Sequence, residues 1–311
     1  NFALTNVKKG DIIVISYVGY QKQEIKWNGG TLNVVLKDDT EVLSEVVVVG
    51  YGIQKKANLS GAVAQVNSDE LTNRPISNVS SGLQGLMPGV TITAGQGRPG
   101  EDGSNIRIRG VGTLNNASPY ILIDGVESGS MNDLDPNDIE SISVLKDASS
   151  AAIYGSKASN GVILITTKRG TEGKGKLAVS ANYSFQNATN VPSLLNAAQY
   201  AELSNDMMVN SGRNPNPEWA NPSELGAGTD WMDELLRTGV MQNYTVSYSG
   251  GNEKSHYYVS GGFLDQSGIV KSVNYRRFTF QSNSDAQVLK WLKFSNNITF
   301  SADTKKSGSY N

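Results

Sequence analysis

The sequence predicts an α+β globule followed by a run of antiparallel strands, with the remnant of a small β-sandwich ahead of both. Three observations predict this. Residues 53–170 mix short strands with short, capped helices, whereas the chain beyond Lys176 alternates apolar and polar residues with a period of two. The first 37 residues hold three brief β runs, separated by polar or glycine breaks.

The gross numbers bound the function. At 311 residues the chain has room for two domains, at roughly 100–200 residues each. Its 27 basic and 29 acidic residues nearly cancel, so no strong field exists to steer nucleic acid or anionic lipid. Without cysteine there is no disulfide framework and no thiolate metal site. No run of about eighteen apolar residues is present, so a membrane-spanning helix is excluded. Barrel strands escape that test, because alternation hides their hydrophobicity. The chain starts at Asn1 and stops at Asn311 in a polar stretch, which reads as a piece cut at both ends. The lack of a visible leader therefore decides nothing.

Taken in order, DIIVISYVGY, QEIKW and TLNVVLK form the N-terminal runs, and residues 38–44 are an acidic, polar linker. Glu45, Val46, Val47, Val48 and Val49 follow, then Gly50, Tyr51 and Gly52. Four valines in a row prefer an extended backbone, and the glycines permit an immediate change of direction. An unpaired strand of this kind is an aggregation hazard unless a partner uses its edge. An ordinary buried strand is the competing reading.

Within 53–170, Asp135 stands at a cap position, with Pro136 at the first helical position and Asp138 in the first turn. Ile139–Leu145 reads as a strand. Asp147 opens a second short helix that Gly155 stops, and Gly161–Thr167 closes the region as an apolar strand. Residues 171–311 then give about five strands. Leu177–Phe185, Tyr244–Ser249, Phe278–Gln281 and Leu292–Phe300 carry the alternation, and His256 shares a strand face with Tyr258 and Ser260. The pattern sets Val179, Tyr183, Val246 and Phe280 against Ser180, Asn182, Ser247 and Gln281 on opposite faces. The long connection 188–241 holds a helix over Ala197–Asn210, capped by Asn196 and Gln199, and a shorter one begins near Asp230. Period two alone fits a soluble β-sandwich as well as a barrel.

Several motifs imitate chemistry. Gly95, Gly97 and Gly100 match a dinucleotide fingerprint, but Pro99 and another strand follow where the phosphate-binding helix should start. The run from Gly170 to Lys176 matches a phosphate loop, yet Leu177 replaces the magnesium-binding hydroxyl. Asp133, Asp135 and Asn137 have calcium-loop spacing, with Asp138 where glycine is needed and Val144 where the bidentate Glu belongs. One histidine, His256, cannot build a multi-histidine metal site. Asp230 and Asp233 suit the start of a helix better than glycosidase chemistry. No catalytic residue, metal or cofactor is expected.

Arg107 and Arg109 alternate with Ile106 and Ile108, which puts two guanidinium groups on one strand face. They read as a latch to acidic groups on a surrounding wall, or as direct ligand contacts. Asn115 and Asn116, in the loop from Gly112 to Pro119, offer amides to a ligand and are equally good turn residues.

The segments LSEVVVVGYG (43–52) and SNIRIRG…VILITTKRG (104–170), with NYTVSYSGG and GGFLDQSGIV downstream, closely resemble the TonB-dependent outer-membrane transporters of the SusC/RagA-like kind found in Bacteroidetes. The resemblance spans essentially the whole chain. It implies the end of a carboxypeptidase-regulatory-like β-sandwich at 1–37, a linker and TonB box at 38–52, and a plug at 53–170. The first strands of a transmembrane β-barrel, embedded in outer-membrane lipid, follow at 171–311. Glu45–Val49 would then be the strand captured by TonB, itself energised by ExbB-ExbD. The N-terminal domain and box would face the periplasm, Arg107 and Arg109 would anchor the plug, and Asn115 and Asn116 would be possible substrate contacts. A SusD-like surface lipoprotein and an oligosaccharide are the implied partners. A peptide importer, or a receptor whose main task is signalling, is the alternative.

Overall fold

The computed structural model describes residues 7–15, 23–30, 32, 34–35, 46–49, 52–55, 63–110, 112 and 116–308. The chain divides into two units, Asn1–Ser60 and Gly61–Asn311.

In the first unit, β1 (Ile12–Ile15) pairs antiparallel with β2 (Gln23–Lys26). The third run expected here departs from that pattern: its described positions Leu32, Val34 and Val35 lie outside any strand. A second hairpin joins β3 (Val46–Val49) to β4 (Gly52–Lys55), with Val49 opposite Gly52 and Val46 opposite Lys55.

The second unit starts with the globule. Its main sheet contains β5 (Val63–Asn67), β8 (Tyr120–Ile123), β9 (Val126–Glu127), β10 (Ile139–Leu145) and β11 (Val162–Thr167), in the order β5-β10-β11-β8-β9. A separate hairpin is made by β6 (Val90–Thr93) and β7 (Asn105–Ile108). Helices are short: α1 (Ser68–Thr72), α2 (Val79–Gly82) and α3 (Ala148–Ala151). Ile163 and Ile165 of β11 join Val66, Ile142, Val144, Leu71 and Leu83 in one cluster, while Val162 and Leu164 face Leu122, Leu145 and Ala158 in another. A strand buried on both faces reads as an unbroken apolar run, which is why Gly161–Thr167 showed no alternation.

The predicted cap at Asp135 is present: its side chain accepts from the Asn137 N–H at the head of a 3-10 turn, Pro136–Asp138. The helix after Asp147 differs. It is α-helical only over Ala148–Ala151 and continues as 3-10 turns to Asn160, kinked at Gly155 with φ 66°. Asp147 makes no capping bond.

A five-stranded antiparallel sheet follows, in strict chain order: β12 (Gly173–Gln186), β13 (Gly239–Asn252), β14 (Ser255–Ser267), β15 (Asn274–Leu289) and β16 (Leu292–Lys306). Between β12 and β13, α4 (Ala197–Asn210) carries the predicted capping box of Asn196 and Gln199, and α5 (Trp231–Leu235) starts on Asp230. The two faces differ as period two requires. Val179, Tyr183, Val246 and Phe280 are exposed on one face, with Val179 opposite Val246 and Tyr183 opposite Gln242. Thr245, Tyr258, Arg277, Gln281 and Asn283 are buried on the other, where the sheet meets the globule.

Candidate functional site

The globule and the sheet meet along a seam built from polar groups. Thr167, at the end of β11, is fully buried and donates to Asp124 Oδ2 at 2.5 Å. Asn283 on β15 donates to Thr167 Oγ1 and to the Lys168 carbonyl, each at 2.7 Å. Gln281 donates to Asn283 Oδ1 at 2.8 Å, and Asn297 on β16 donates to Asp124. Further along, Asn137 and Asp135 engage Thr245 at 3.2 and 2.8 Å, and the Tyr258 hydroxyl donates to Asp138 Oδ1 at 2.8 Å. The Arg277 guanidinium, 3% exposed, donates to the backbone carbonyls of Asn132 and Ser77, stapling two separate loops. Apart from the carboxylates and the Arg277 guanidinium, the partners are neutral. Bonds between neutral groups contribute roughly 1 kcal/mol each, because water would replace them on separation, and those to charged groups about 1.5–3 kcal/mol.

The sequence points to part of this surface. Gln281 and Ser247 lie on the inner face as expected, and so does His256, whose Nδ1 lies 3.2 Å from Asp285 Oδ2. Thr245, Arg277, Asp124 and Asn132 were not singled out. The signal for Thr245 and Arg277 was available, since they alternate with Tyr244, Val246, Arg276 and Phe278.

Arg107 and Arg109 do not share a face. The strand ends at Ile108, and Arg109 takes a left-handed φ of 56°. Arg107 donates to the Ile106 carbonyl at 3.0 Å and the Ser118 hydroxyl at 3.4 Å. Arg109 pairs with Asp147 at 2.5 Å, which accounts for the missing cap on that helix. These partners belong to the globule.

Arg107 and Asn116 are brought together by a cavity of about 650 Å³ beside β7 and β8. Its wall includes Ser118, Tyr120, Ser130, Asn132 and Asn160. Glu127 lies at its rim, its carboxyl held low mainly by the hydrogen bond from Lys157 at 2.7 Å. Asn116 Oδ1 accepts from the Ser118 N–H at 2.9 Å, the turn role that its residue type also suggested. Asn115 lies outside the described residues.

The valine run forms strand β3, paired by β4 along one edge. Backbone groups of successive strand residues point to opposite edges, and among the described residues no strand pairs with the edge of β3 away from β4. Glu45 lies outside the described residues.

Comparison with known proteins places these features. Residues 55–162 match the TonB-dependent Receptor Plug Domain. The chain is 41% identical over 315 residues to the TonB-dependent receptor SusC of Bacteroides thetaiotaomicron, covering 96% of this chain and 30% of that protein. It is 40% identical over 298 residues to the TonB-dependent receptor P3 of Formosa agariphila, covering 94% and 28%. Among solved structures, the RagAB peptide importer in its open-open state superimposes with a TM-score of 0.73 at 29% identity, over 86% of this chain and 33% of that one. The chain thus spans about 30% of the length of the curated relatives it matches.

Proposed function

Because this chain is a SusC-like member of the TonB-dependent receptors, we propose that it supplies the plug and opening wall of an outer-membrane importer driven by TonB. The observation that carries this reading is the seam. A globule with its own apolar core sits on the polar face of a sheet whose other face exposes Val179, Tyr183, Val246 and Phe280. An apolar face turned outward suits lipid, and a polar inner face suits a plug that must part from it. The division is 1–37 regulatory-like β-sandwich, 38–52 linker and TonB box, 53–170 plug and 171–311 wall. The protein works in transport, not catalysis.

In this reading TonB, energised by ExbB-ExbD, adds a strand to Val46–Val49 from the periplasm, and a SusD-like lipoprotein covers the outer mouth. Arg107 and Arg109 stiffen the plug for anchoring. The cavity beside Arg107 offers hydroxyls, amides and the Tyr120 ring, groups that suit the hydroxyls and faces of a sugar, so the cargo is an oligosaccharide. A peptide is the second reading, favoured by the likeness to the RagAB peptide importer.

Val47→Pro tests the coupling. Proline removes a backbone donor and blocks strand addition. In the full-length receptor, ligand binding persists and uptake stops. Normal uptake by this variant overturns the assignment of the box.

A further inference from the structure

Two carboxylates face the wall from a single turn of the plug. Asp135 and Asp138 are 3% and 2% exposed, and among the described residues neither forms an ion pair. Wall hydroxyls meet them instead, Thr245 at Asp135 Oδ2 and Tyr258 at Asp138 Oδ1, both at 2.8 Å. The wall is shaped for this. A Cβ on Gly262 would collide with Asp135 Oδ2 and with the Thr279 hydroxyl, so glycine makes the space the carboxylate occupies.

The negative charge of Asp135, held away from water, opposes the ionisation of Asp138. Burial pushes Asp138 up to about 6, and the charge of Asp135 adds to the effect. The hydroxyls of Ser260 and Tyr258 and the positive charge of Lys168 act the other way.

We infer that Asp138 holds a proton while the plug is seated, and that its ionisation loosens the seam. Asp138 makes seating dependent on pH. The direction follows from linkage. The seated form binds the proton more tightly than a solvated carboxyl does, so seating is strongest below 3.8 and weakens as pH rises through about 6. Between pH 7.5 and pH 5 the seated-to-unseated ratio rises roughly tenfold, by that linkage. The seam carries this inference, whichever ligand is imported.

Thiol labelling of the full-length receptor in detergent tests it. Gln281, 1% exposed, lies on the wall side of the seam, so a Gln281→Cys thiol reacts with a maleimide only when the seam opens. After correction for the thiolate fraction, opening should be about tenfold rarer at pH 5 than at pH 7.5. Asp138→Asn should abolish the difference. A flat native profile, or an unchanged pH dependence in the variant, overturns the proposal. Should Asp138→Asn fail to assemble, Tyr258→Phe removes a hydroxyl that favours the ionised carboxylate. The midpoint must then move to higher pH, and a fixed midpoint also overturns the proposal.

Discussion

The plug's own core and its seam with the barrel wall are both buried, and they are held by opposite means. In the core, Ile142, Ile163 and Val66 are at most 2% exposed and pack together in one apolar cluster. In the seam, Thr167, Gln281, Asn283 and Asp138 are equally buried and meet hydroxyls, amides and carboxylates. Separating the core exposes hydrocarbon to water, at roughly 25 cal/mol per Å². Parting the seam exchanges protein hydrogen bonds for bonds to water, with a small net change for each. The difference predicts that, under load, the seam yields before the core.

That comparison can be broken at its strong side first. Ile163→Ala leaves a cavity in the core and should destabilise the plug by about 2–5 kcal/mol, seen as protease sensitivity of the plug in the assembled receptor. Next comes the contrast between the two faces of the wall. Val179→Lys, on the outward face, should weaken the barrel by about 2–4 kcal/mol if placed near mid-bilayer, and Ser180→Lys far less. The yield of heat-resistant folded barrel on gels measures both, and equal losses would dissolve the distinction between faces. Smallest is the seam itself. Asn283→Ala strips donors from Thr167 Oγ1 and the Lys168 carbonyl, and should ease plug release by about 1–3 kcal/mol. Its core should keep the native unfolding midpoint, and a matching drop in that midpoint would show that seam and core are one cooperative unit.

Much of the fold was legible because its causes are local. The helix Ala197–Asn210 is set by a capping box four residues long, and Ile139–Leu145 by a cap, a proline and an apolar run. The wall's alternation was equally plain, though its strands extend well beyond the segments that show it. Arg276 and Arg277 belong to β15 because the ladder with β14 continues through Asp265 and Leu264. Hydrogen bonding to a neighbour, not side-chain pattern, sets that length.

The site was less legible because its causes are distant. Arg277 and Ser77 are separated by 200 residues, and nothing local to either announces the other. Arg107 and Arg109 show the opposite error. Alternation put them on one face, but the backbone turns at Arg109, just before Gly110 at φ 90°. A two-residue period holds only while the strand lasts.

Only residues 168–172 join β11, the plug's last core strand, to β12, the first strand of the wall. That short tether makes re-docking an intramolecular event, governed by an effective concentration and not by encounter in solution. Short linkers hold effective concentrations in the millimolar range. On the proposed function, a plug drawn off the wall would remain close to its seat, where a seam of individually weak polar bonds could recapture it. Lengthening 168–172 with flexible residues would lower the local concentration and slow the return, leaving every bond in the seam unchanged.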